Sequence, residues 1–319
     1  MSSTRVYNLP RARLLSPARV RELSRLEPAR VVRDTARLWI EILAAFALVA
    51  WHPAWWTVLV AFPIVGTRYY ALFVIAHDGL HRRLFERART NDLFCDLFLL
   101  GPIGAVTRVH NRNHRLHHKH LATASDPDRH RHACFNKTTQ LETLAFLTGA
   151  TALATSFRNV FLRRRKPRSE APGSRLRPRE LAVIGVWQVL LVGGLTTAIG
   201  WWAWPVLWLA PCYVHFYLGD LIRSFLEHSQ PEADSRADSH RLISYEATPL
   251  ERILLAPNHM NHHAAHHLWP SIPYYNLGRA EREMRELPGS DAIEWRHSYL
   301  GYLLRYWRAL PLPECRGGA

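Results

Sequence analysis

Apolar residues in this chain fall into long blocks, with arginine packed between them. The first block, 38–51 (LWIEILAAFALVAW), is broken by His52-Pro53, and the second, 54–67, reads AWWTVLVAFPIVGT. Each is shorter than the ~20 residues a membrane span needs. Flanking residues lengthen both, so the pair predicts a helical hairpin with spans at 38–52 and 54–76. Arg68, Tyr69 and Tyr70 read as interfacial anchors. No Gly or Pro follows until Gly79, so the helix continues past them. It carries His77 roughly 13 Å beyond Arg68 at about 1.5 Å per residue, outside the hydrocarbon. Residues 93–105 and 141–157 are apolar but short or interrupted, and read as interfacial or re-entrant segments. The stretch 181–200 (LAVIGVWQVLLVGGLTTAIG) is uncharged and covers roughly 30 Å as a helix. WWAWP at 201–205 is the turn in an aromatic belt. A fourth span, 204–222, returns and ends near Asp220 and Arg223.

Two hairpins return the chain to one side twice, so 1–37, 77–180 and 220–319 share a face. Nine Arg in residues 1–37 and eight basic residues in 163–179 mark that face as cytoplasmic. The predicted architecture is all-α and integral to the membrane, with four transmembrane helices as two hairpins and a cytosolic helical cap. Its parts are a basic arm (1–37), a membrane domain (38–285; cap from 77–180 and 223–285) and a polar tail (286–319). No signal-peptide pattern is expected in 1–37, so the first apolar run serves as address and anchor.

Charge adds little to this picture. The net charge is +15, yet the basic residues flank apolar spans and no nucleic-acid motif accompanies them. They are assigned to topology and anionic headgroups rather than to nucleic acid. The 12 Trp, many near the ends of apolar blocks, fit an interfacial belt. Cys95, Cys134, Cys212 and Cys315 form no CxxC pair, so neither a disulfide framework nor a zinc or iron–sulfur site is expected.

The chemistry lies in the histidines. Of 19, twelve fall in three tight groups on the predicted cytoplasmic side. HDGLH sets His77 and His81 at i, i+4 on one helical face, with Asp78 as an acceptor able to orient an imidazole. HNRNHRLHHKH holds His110, His114, His117, His118 and His120; the core His114-x-x-His117-His118 points three rings one way. NHMNHHAAHH holds His259, His262, His263, His266 and His267 in two overlapping HxxHH frames, and only His263 belongs to both. Asn258 and Asn261 add oxygen donors able to hold a metal-bound water. His228, just past the last span, is a further candidate ligand. His215, inside that span, reads as a hydrogen-bonded core residue.

Eight or nine convergent imidazoles exceed the four ligands of one zinc ion and suit two metals. Imidazole favours Zn, Cu, Fe or Ni, and a nearly all-histidine site differs from the Glu-rich soluble di-iron bundles. Two irons so held can activate O2 against an alkyl C–H bond. A cap on membrane hairpins can take a chain from the bilayer while meeting cytoplasmic reductant. The competing class is a histidine-rich metal transporter or sensor. A transporter needs ionisable residues near mid-membrane, and 181–200 has none.

HDGLH at 77–81, HRLHH at 114–118 and HHAAHHLWPSIPYYNL at 262–277 resemble the three histidine boxes of the membrane fatty acid desaturase/hydroxylase superfamily. RSFLEH at 223–228 is similar to the Arg-x-x-x-Glu-His stretch of many members. The resemblance covers roughly residues 38–285. It implies two iron ions, O2 as co-substrate and a lipid or fatty acyl substrate. It implies as ligands His77, His81, His114, His117, His118, His228, His263, His266 and His267. Asn261 is implied as a water-holding neighbour. His259 and His262 are extra to the family's third box; with Asp78 and His110 they are candidates, on the residues alone, for water-mediated or ring-orienting roles. No HPGG heme motif or ferredoxin-like Cys set is present, so electrons are expected from a separate donor such as ferredoxin or cytochrome b5. The implied reaction is desaturation; hydroxylation, ketolation or oxidative decarboxylation at the same site is the alternative.

Overall fold

A computed structural model describes residues 11, 13–121, 125–128, 131, 139–161, 175–228 and 242–311. Helix α1 (Pro17–Leu23) opens on Ser16, whose side chain accepts the Arg19 N–H. Helix α2 (Pro28–Trp51) and α3 (Trp55–Leu80) form the first hairpin, turning at 52–54. Pro28 stands in the first turn of α2, where its missing N–H costs nothing. No breaker follows before Pro53, so this helix starts well before residue 38 and takes in the end of the basic arm. Glu41 on α2 pairs with Arg68 on α3, which sits two-thirds buried.

Helix α4 (Ala88–Cys95) continues through a π-helical segment, Asp96–Leu100, and a 3-10 turn, Gly101–Ile103. Helix α5 (Thr107–His120) then leaves at 93°. Asp96 fixes this bend, since its Oδ1 accepts both the backbone N–H (2.6 Å) and the hydroxyl (2.7 Å) of Thr107. A carboxylate at a helix start satisfies otherwise orphaned donors. Helices α6 (Gln140–Leu147), α7 (Ala150–Phe161) and α8 (Pro178–Ala198) follow. From residue 203 one continuous helical run reaches His228, with π segments at Pro205–Leu209 and Cys212–Leu218 and α9 at Gly219–His228.

Among the described residues two helices, Trp55–Leu80 and Pro178–Ala198, are long and apolar enough to cross a membrane, or three spans if the bent pair 88–103 and 107–120 counts as one. The bend makes that pair either a broken span or a re-entrant loop, at the stretch 93–105 read as interfacial or re-entrant. The largest apolar core lies around α2 and α3, with Leu99, Leu191 and Trp208 brought in from the later elements.

The remaining elements are α10 (Pro249–Leu254), α11 (His263–Leu268), α12 (Tyr274–Arg285) and α13 (Tyr299–Ala309). The fold is mostly helical, as expected, and carries one short strand pair among the described residues. Strands β1 (Ile243–Tyr245) and β2 (Glu294–Arg296) pair in parallel, Ile243 with Glu294 and Tyr245 with Arg296. Three residues each give too short an alternation to read from sequence. Their pairing is fixed by side chains around them: Tyr245 stacks on Tyr299 at 3.8 Å, and the Arg296 guanidinium lies 3.5 Å over the Tyr302 ring. The arm 1–10, most of the basic loop (163–174), Cys134, Cys315 and the tail 312–319 lie outside the described residues.

Candidate metal centre

Four separate stretches bring histidines to one buried place. His77 rides the last turn of α3 and His81 caps that helix. His114, His117 and His118 lie on α5, His228 ends α9, and His263, His266 and His267 lie on α11. The six-residue α11 is set by its neighbours. Asn261 donates to the Tyr245 carbonyl (2.8 Å), Tyr245 N–H returns a bond to the Asn261 carbonyl (2.9 Å), and Ser244 Oγ accepts the Ala264 N–H (3.2 Å). The strand pair thus holds the third box in register.

The rings divide into two groups. His77, His81, His114, His118 and His266 form one, and His117, His228 and His267 the other; within each, one ligating nitrogen per residue lies within 4.8 Å of the rest. His263 joins the second group, its Nε2 3.0 Å from His228 Nε2 and 2.9 Å from His267 Nε2. The groups touch where His118 and His267 stack at 4.3 Å. The second and third boxes are therefore split, while His77 and His81 of the first stay together: His114 and His118 go one way and His117 the other, and His263 and His267 oppose His266.

The donors fit metal ions. Two imidazole nitrogens bound at about 2.1 Å to one ion stand about 3 Å apart when they meet it at a right angle. His81 and His114 present Nε2 atoms 2.7 Å apart, and His118 and His266 3.1 Å. Facing nitrogens leave lone pairs converging on shared points. Behind them the buried Nδ1 atoms of His77, His118, His266 and His267 have no hydrogen-bond partner. Burial, reinforced by neighbouring imidazoles, pulls the pKa values of His81, His114, His118, His263, His266 and His267 well below the usual histidine value. Neutral rings are the metal-binding form.

The second group is backed by carboxylates. His117 Nδ1–H donates to buried Asp126 (3.0 Å to Oδ1), and Glu227 Oε2 lies 3.3 Å from His263 Nδ1, an ion-pair distance rather than a well-formed hydrogen bond. Tyr299 donates to Glu227 Oε1 (2.6 Å), and Arg223 pairs with both Glu227 (2.5 Å) and Asp220 (2.7 Å). Neither Asp126 nor Tyr299 was singled out in the sequence. Asp126 follows α5 in the turn SDPD, where it also accepts the Asp128 N–H (2.8 Å), and a carboxylate soon after a histidine box is a usable signal.

The ring-orienting candidates find other partners. Asp78 accepts the Tyr274 N–H (2.5 Å) at the start of α12 rather than an imidazole. Asn261 donates to Tyr245 as described and also lies 3.4 Å from His262 Nδ1, outside the cluster, and Asn258 donates to the Ala71 carbonyl (2.8 Å). His259 and His262 stack on each other at 5.9 Å, and His262 Nδ1 pairs with Glu281 (2.7 Å). They stay out of the cluster, which takes the 263–267 frame. His215 lies edge-on to Phe62 and against Gly66, and also stays out. His110, exposed, lines a cavity of about 200 Å³ beside His77, His114, His117, His228 and His263. Asn113, Asp128, Arg131, Asp220, Arg223 and Ser224 line the same cavity, together with the apolar Phe73 and Leu80.

Residues 53–299 match the family model for fatty acid desaturase. The chain belongs to that family. Similar proteins include an sn-1 acyl-lipid omega-3 desaturase (ferredoxin) of Nostoc, 26% identical over 259 residues (76% of this chain, 72% of that one). A Synechocystis protein of the same description is 25% identical over 320 residues (92% and 86%). The dihydrorhizobitoxine desaturase of Bradyrhizobium elkanii is 25% identical over 292 residues (84% and 80%). Family membership makes the chain an oxidoreductase, and the apolar helices agree with a membrane protein.

Proposed function

We propose that this desaturase is a di-iron enzyme that uses O2 to introduce a double bond into the acyl chain of a membrane lipid. The observation carrying this reading is the convergence of imidazoles from three boxes and His228 into two adjoining groups. In it His77, His81, His114, His118 and His266 hold one ion and His117, His228, His263 and His267 the other. Two irons bound there supply the O2 chemistry that removes hydrogen from an unactivated C–H bond.

The protein's own residues do the rest. Asp126 holds the His117 ring, and Glu227, set by Tyr299 and Arg223, lies behind His263. In this reading the cavity beside the rings receives the substrate carbon. The net change is balanced by one O2, two hydrogens from adjacent carbons, two electrons from a separate donor and two protons, giving two waters. Ferredoxin in the names of two relatives supports a ferredoxin-type donor. Four spans in two hairpins, with the arm 1–37, the domain 38–285 carrying a cytosolic cap and the tail 286–319, complete the reading. They are supported by the two apolar helices, the unbroken helices at 28–51 and 203–228, and the basic flanks.

Lipidomics of a host expressing the wild type beside His117→Ala tests the reaction. The wild type is expected to yield lipids lighter by two hydrogens and the variant none. Products gaining oxygen, or no product, sink the desaturase reading. The polar and charged residues among the cavity lining favour a second reading, in which the substrate carries a polar group close to the reacting bond; a product confined to small polar metabolites rather than lipids supports it.

A further inference from the structure

Helix α5 has a second face that the metal chemistry does not use. At about 100° per residue, Arg108, Arg112, Arg115 and Lys119 fall within about 60° of one another. His114, His117 and His118 centre about 140° away. Arg112, Arg115 and Lys119 are exposed, and Thr107–His120 contains no Asp or Glu. Arg108, at the stripe's end, holds Glu180 at 2.8 Å and donates to the Arg175 carbonyl (2.6 Å). The exposed Arg175, Arg177 and Arg179 therefore extend the same basic surface.

We propose that this outer face of α5 is where a small acidic one-electron carrier protein of the ferredoxin type docks. The proposal rests on the di-iron desaturase reading above. Two successive carriers each leave oxidised by one electron, and together they supply the two electrons that the substrate C–H bonds do not. Charge complementarity steers the encounter, and the geometry shortens the route. Arg115 follows His114 in the chain, and Lys119 follows His118. A carrier on the stripe is thus separated from the imidazoles by one helix, about 10 Å thick. Lipid headgroups would attract the same cations, but headgroup contact does not require cations to alternate with metal-facing histidines.

The test uses full-length protein in nanodiscs of neutral phosphatidylcholine, with a plant-type [2Fe–2S] ferredoxin as probe. Binding is titrated directly at low and high salt for the wild type and for the double variant Arg115→Glu, Lys119→Glu. The wild type is expected to bind ferredoxin in a salt-sensitive way, and the variant about tenfold or more weakly. Its iron content and its single turnover with dithionite are expected to be unchanged. Unchanged ferredoxin affinity overturns the proposal, and reduced binding to anionic vesicles beside it reassigns the stripe to the membrane. A fall in iron content also overturns it, by making the stripe structural. Absence of dithionite-driven desaturation in the wild type counts against the desaturase reading instead, because docking is measured without turnover.

Discussion

Asp126 shows how much of this site depends on residues that are not histidine. Its carboxylate takes the Nδ1–H of His117, which fixes the ring's tautomer and aims Nε2 at the second group. Loss of such a partner typically costs about 10- to 100-fold in metal affinity. Asp126→Ala is therefore expected to weaken one of two bound irons by about that factor and leave the other in place. A chelator competition titration reads this directly, and equal weakening of both ions would count against the assigned role. The imidazoles themselves were legible because five histidines in eleven residues are hard to explain on a solvated helix. Asp126 was not, because a lone carboxylate in a turn resembles any other.

At the level of elements, α3 and the π-helical return segment pack tightly at Gly66. A Cβ on Gly66 would stand 2.7 Å from the Pro211 carbonyl oxygen and 2.8 Å from His215 Cβ. Overpacking of this kind costs about 1–3 kcal/mol, while Gly→Ala within a helix returns about 0.5–1 kcal/mol. Gly66→Ala is expected to lower the unfolding midpoint in detergent, since the steric term is the larger. An unchanged or raised midpoint would mean that the two helices slip apart freely. The π turns beside this contact continue into α9 and so help set where His228 emerges. π-bulges gather at functional sites. Periodicity in the sequence predicted a helix here but not its pitch, because apolar residues on every side carry no phase.

Across the whole molecule, the centre ties chain segments separated by up to 190 residues. A ligand that binds only the folded state adds about 2.7 kcal/mol at a hundredfold excess over its Kd. Iron-loaded protein is therefore expected to melt at least about 5 °C above chelated protein in the same detergent. Identical midpoints would mean that the cluster stands without metal. The span pattern belongs to this scale too. Trp55–Leu80 and Pro178–Ala198 stand out by composition, whereas Pro28–Trp51 mixes its apolar face with Arg33, Asp34, Arg37 and Glu41.

The order of elements, the three boxes and their spacing follow from the sequence, because i, i+3 and i+4 positions share a helical face whatever surrounds them. Two things needed the folded chain. One is the frame of the third box, where His259 and His262 turn to each other and to Glu281 while His263, His266 and His267 face the cluster. The other is the division of the second and third boxes between two groups. Residues three and four apart differ by about 100° around a helix, and only the helices packed opposite decide which ring meets which.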